Sequence, residues 1–136
     1  TNVRLEINLL LGVVGLARIV DGGAPPGALA TVKRAARVLS AAPERPACHL
    51  GHLFDAQLCH LGLAPGSAAH HLHRAISGFE EAGAGFYLGA AQLFAATLGM
   101  LDLDESQTSL RARGWVDPLR VAAVWAPALR AYKRGA

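Results

Sequence analysis

Apolar residues recur at helical spacing along almost the whole chain, and glycine and proline cut that pattern into segments. From Val3 to Val20 nearly every position is apolar, with Gly12 and Gly15 inside the run and Asp21-Gly22-Gly23 closing it. That predicts a first helix apolar on almost every side. Ala24-Pro25-Pro26-Gly27 cannot carry a helix onward, because each proline removes a backbone donor. Beyond it Leu29, Val32, Ala36 and Leu39 share one face and Lys33, Arg34 and Arg37 the other, a second and amphipathic helix. Ala42-Pro43-Glu44-Arg45-Pro46 breaks the chain again, and Leu50, Leu53, Phe54, Leu58 and Leu61 recur until Gly62 as a third. Ser67 is placed to cap a fourth helix, whose stripe of Ala68, Leu72, Ala75, Ile76 and Phe79 opposes His70, His73, Arg74, Ser77 and Glu81.

A fifth helix is predicted over Ala84 to Leu101. Tyr87, Ala91, Phe94, Leu98 and Leu101 lie on one face and Gly85, Gly89, Ala96 and Gly99 on the other. Small residues on that second face let another backbone come close, so this helix is expected to be sandwiched. Asp102 and Asp104 stand at the start of a sixth, with Asp104 and Gln107 at capping-box spacing. The sixth helix should run to Arg113, with Gly114 as its left-handed stop and Trp115 packing back. Asp117-Pro118 then supplies a cap and a first-turn proline for a seventh, carrying Val121, Val124 and Trp125, which Pro127 should kink or end.

The pattern predicts an all-α fold of about seven helices, stacked in antiparallel pairs as an α-solenoid like tetratricopeptide repeats. Residues 1–136 read as one helical-repeat domain, with pairs over about 3–42, 47–83 and 84–114 and a closing helix over about 118–133. Leu50-Gly51 and Leu88-Gly89 recur 38 positions apart, close to the interval of helix-pair repeats. Strands are not expected, since β-branched residues are sparse.

Phe79, Glu80, Ala82 and Gly83, then Tyr87, Ala90 and Ala91, then Arg113, Gly114, Asp117 and Pro118, form a pattern that resembles the C-terminal helical-repeat regions of large bacterial serine/threonine protein kinases and related ATPase regulators. The resemblance covers the second half of the chain and the first half only in character. The Leu-Ala-Pro-Gly ending of that pattern is Trp125-Ala126-Pro127-Ala128 here. What the resemblance implies is a sensing or scaffolding segment associated with a kinase, without catalytic residues, and a fragment of a longer chain.

Composition narrows the function classes. Apolar residues make up 52% and charged residues 17%, too apolar for a disordered segment. The net charge of +3 comes from thirteen basic and ten acidic residues that are scattered. Only Arg120, Arg130, Lys133 and Arg134 concentrate positive charge, without the aromatics that stack bases, so nucleic acid is not the expected partner. The Ile7–Val20 run is too short for a membrane span and contains Asn8 and Arg18. With no signal-peptide pattern, a cytoplasmic location is expected.

All six histidines and both cysteines fall between Cys48 and His73. Cys48, His52, Asp55 and Cys59 form one stripe of the third helix, while His70, His71 and His73 lie on the fourth. The stripe spans about 16 Å of helix, so one metal ion cannot take all four, and the cysteines cannot bridge each other. A pair one turn apart, with a third ligand from the facing helix, could share a zinc ion. The familiar CxxC, HExxH and CxxCH spacings are absent. Plain helix-surface histidines and filler cysteines are therefore preferred, and neither a metal nor a cofactor is assigned. Cys59 and His60 are adjacent and point apart, as are Glu80 and Glu81. No nucleophile, base and orienting group assemble, so no enzyme is expected and no catalytic residue named.

The expected function is protein–protein interaction or scaffolding. The partner would be another protein or a further segment of the parent chain, held in a groove lined by Asn8, His49, His52, Asp55 and Gln92. The alternative is a helical bundle that binds metal or a small ligand through the His/Cys cluster at 48–73. The nearly all-apolar first helix is itself a surface that a further repeat or a partner should cover.

Overall fold

In the computed structural model of the chain, residues 3–44 and 46–132 are described; Arg45 of the expected break and Lys133 and Arg134 of the basic tail lie outside them. The described residues form seven α-helices and no strand: α1 Val3–Val20, α2 Ala28–Ser40, α3 Ala47–His60, α4 Ala68–Ala82, α5 Gly85–Thr97, α6 Leu103–Ala112 and α7 Pro118–Trp125, with a final 3-10 turn at Pro127–Ala131.

Local chemistry sets the breaks. Ser67 caps α4 by accepting the His70 N–H at 3.3 Å. α4 ends where Gly83 takes a φ of 67° and the Ala84 N–H returns to the Phe79 carbonyl at 3.0 Å. α6 ends alike, with Gly114 at φ 97° and the Trp115 N–H on the Leu110 carbonyl. The residues behind the kinase-region resemblance thus include helix-stop signals, which many helical proteins need.

Four expectations are corrected. α5 stops at Thr97 instead of reaching Leu101, because Gly99 turns left-handed at φ 81° and the Met100 N–H closes on the Ala95 carbonyl. Asp102, not Asp104, caps α6, its carboxylate accepting the Glu105 N–H at 2.9 Å. Asp117 adopts φ 84° and makes no side-chain cap, although Pro118 does occupy the first turn of α7. The closing helix is not continuous to 133: α7 ends at Trp125, and Pro127 opens the 3-10 turn.

Successive helices pack on one another, α1 on α2, α2 on α3, α3 on α4 and α4 on α5, while α5 also meets α6 and α7. One core runs through them, with Leu16, Val32, Leu39, Leu53, Phe54, Leu72, Phe79, Leu93 and Phe94 all buried. α5 is enclosed over its middle and end, where Ala90, Ala91 and Leu93 to Ala96 are buried and Trp115 lies against Gly89, whereas Gly85 and Gly99 of the expected small-residue face meet open space. Phe86, Tyr87, Trp115 and Trp125 pile together at one end, with Phe86 stacked on Trp115 at 5.2 Å between centroids.

The chain then folds back on its own beginning. The 3-10 turn packs against both α7 and α1. The Ala128 N–H donates to Oε1 of buried Gln57 on α3 at 3.1 Å, and Gln57 Nε2 donates to the Leu53 carbonyl. Arg130 reaches Asp21 at the end of α1 at 3.4 Å. An open stack would leave its last element far from its first; here the 3-10 turn joins α7, α3 and α1.

Candidate functional site

Two surfaces carry chemistry that the core does not consume. The first is the seam between α3 and α4. Leu53, Phe54 and Leu58 bury one side of α3 and thereby turn His49, His52 and Asp55 toward α4. Gly78 of α4 lies directly under the His49 ring, where a side chain would collide with it, and Phe79 meets that ring edge-on at 6.0 Å. One turn further along, the His52 and His71 rings lie near-parallel at 6.0 Å between centroids, with an interplanar angle of 26°. Asp55 completes the group: His52, Asp55 and His71 each offer a ligand atom, and these atoms lie within 4.8 Å of one another.

The electrostatics of the seam follow from its partial burial. Desolvation pushes the His52 imidazole down from its ordinary 6.5 to about 4, with Arg74, His71, His49 and His70 adding in the same direction. His52 is consequently a neutral ring at neutral pH, with a lone pair to offer. Burial raises the Asp55 carboxyl, and His71 opposes that rise. Burial, then the Asp55 carboxylate, raises the Cys59 thiol. Cys59 and Cys48 are both free, and Cys59 Sγ lies 3.5 Å from the Pro65 carbonyl oxygen.

The second surface is the outer side of α1. Leu5, Leu9, Val13, Leu16 and Ile19 turn toward the core, whereas Val3, Ile7, Leu10, Leu11 and Val14 are all more than 45% exposed. Val3, Ile7, Leu10 and Val14 follow a four-three-four spacing, the seam that one helix offers another. Ile7, Leu10, Leu11 and Val14, with Pro25 and Pro26 of the loop entering α2, line a groove of about 510 Å³. Arg4 and Arg18 stand seven residues either side of Leu11, both exposed; Glu6 lies on the other flank of the stripe.

The five residues expected to line a groove are divided. His49, His52 and Asp55 come together on the α3–α4 seam with His71, which only the facing helix could supply. Half-buried Asn8 donates to the Arg4 carbonyl of its own helix at 2.8 Å. Gln92 is half-buried on α5 between buried Ala91 and Leu93. Sequence reasoning missed Gln57, whose signal was a polar residue inside an apolar stripe, and Gly78, whose signal was a lone glycine among the bulkier residues of α4.

Compared with protein-family models, with curated proteins and with solved structures, the chain matches none. Among the described residues no helix is long and apolar enough to cross a membrane.

Proposed function

We propose that this domain captures an amphipathic helix of a partner protein on the outer face of α1. The observation that carries the reading is the exposed stripe Val3, Ile7, Leu10, Val14, with Leu11 beside it, continued into a groove by Pro25 and Pro26. Exposed apolar side chains gathered on one face are costly to leave in water, which supports reading the stripe as an interaction surface. Its heptad spacing suits a helix better than a strand or an extended peptide.

The flanking charges select the occupant. Arg4 and Arg18 lie fourteen residues apart, about 21 Å along a helix, against the single acid Glu6. A second copy of the chain is disfavoured. Antiparallel pairing centred on Leu11 would set Arg4 of one copy opposite Arg18 of the other, and parallel pairing would set each arginine opposite itself. The favoured partner is a helix with an apolar heptad face and acidic residues at both ends. The consecutive packing supports a short stack of helices; its tetratricopeptide-like reading rests on the 38-residue sequence interval, and the final turn sets it apart from an open solenoid.

The test is titration calorimetry with two designed helical peptides that share a leucine heptad face and differ only in glutamate or lysine at the flanking positions. The glutamate peptide should bind at least tenfold more tightly, and Leu10→Asp should abolish the binding. Equal affinity for both peptides, or an unaffected Leu10→Asp variant, would contradict the reading.

A further inference from the structure

The α3–α4 seam gathers side chains that partner capture on α1 does not use. We propose that His52, Asp55 and His71 form a binding site for one divalent first-row transition metal ion, of which zinc is the representative.

The ligand set is convergent. His52 and Asp55 are three residues apart on α3 and so share a face, and His71 reaches them from α4. Ligand atoms around a four-coordinate zinc with bonds of 2.0–2.1 Å stand about 3.3 Å from one another. The three atoms here lie within 4.8 Å. The gap to close is at most roughly 1.5 Å, within reach of side-chain rotation while both helices stay in place.

An independent observation points to the same place. Nδ1 of His52 and Nδ1 of His71 are both buried, and neither has a hydrogen-bond partner among the described residues. A buried polar nitrogen without a partner is uncommon and calls for an explanation such as a bound ion. Two on facing rings, each belonging to the same triad as a carboxylate, share one explanation in a metal ion.

The donor chemistry selects the ion. Two imidazoles and one carboxylate suit zinc and its first-row neighbours, whereas calcium and magnesium demand mostly oxygen ligands. Three protein ligands at the surface of a half-buried seam leave the remaining coordination position to water. Bound there, the ion ties α3 to α4 at the seam that His49 and Gly78 also form. Arg74, beside His52, opposes a dication, so the site is expected to be weaker than a closed four-ligand one.

The experiment is calorimetric titration of the full chain with zinc chloride, paired with the visible spectrum of the cobalt(II) form. The expected result is one saturable site per chain and a rise in melting temperature on adding zinc. Affinity should fall at least tenfold in each of His52→Ala, His71→Ala and Asp55→Asn, and be unchanged in His60→Ala, which lies outside the triad. Circular dichroism identifies any variant that fails to fold; Asp55→Asn keeps shape and volume and carries the test if a histidine variant is lost. Absence of saturable binding tighter than about 100 µM, or binding retained within threefold in the ligand variants, would overturn the proposal. Neither result bears on the α1 face, which the peptide titration reads separately.

Discussion

Close approach between helices rests on single glycines. A Cβ on Gly51 of α3 would stand 2.7 Å from the Ser40 amide nitrogen and 2.9 Å from the Ala36 carbonyl oxygen of α2. Both are backbone atoms and cannot rotate away. Gly51→Ala should therefore destabilise the protein by about 1–3 kcal/mol, the usual cost of overpacking. Gly85, at the start of α5, faces open space, so Gly85→Ala should cost nothing or stabilise by up to about 1 kcal/mol. Paired denaturant titrations check this, and equal effects at the two positions would contradict the account. At the same scale, Asp102→Ala removes the carboxylate that accepts the Glu105 N–H, and a loss of about 1 kcal/mol should appear as a lowered midpoint.

Elements were legible in the sequence wherever apolar spacing and punctuation agreed. Ser67, Gly83 and Gly114 each act locally, and their helices begin or end where those residues predict. Gly99 misled because a glycine inside an apolar run reads equally well as a small packing residue or as a helix stop. Long-range partners were harder to read. That His52 and Asp55 share a face is arithmetic, but that His71, rather than His70 or His73, meets them depends on the rotation of α4 about its axis. Burial of Leu72, Ala75 and Phe79 sets that rotation. The return of the final turn to α3 had no local signal except Gln57. Gln57→Leu should strand the buried Ala128 N–H, cost about 1–3 kcal/mol and remove that amide's protection from hydrogen exchange. Unchanged protection at Ala128 would mean the final turn is held by other contacts.

At the scale of the whole molecule, helices packed in sequence give the domain two ends, and the last turn joins them on one side through α7, α3 and α1. The outer side of α1 is not covered by that closure, which is why its apolar stripe stays in solvent. The His52–Asp55–His71 triad sits on a different element pair, so metal binding and partner capture should be separable by mutation. The partner helix is proposed to lie on α1 and not among the histidines. Backbone amide chemical-shift mapping with the glutamate-flanked peptide tests it most directly. Shifts should concentrate between Ile7 and Arg18 and between Gly27 and Thr31, leaving His49, His52, Asp55 and Gln92 unmoved. Shifts centred on those four residues, with α1 silent, would contradict it.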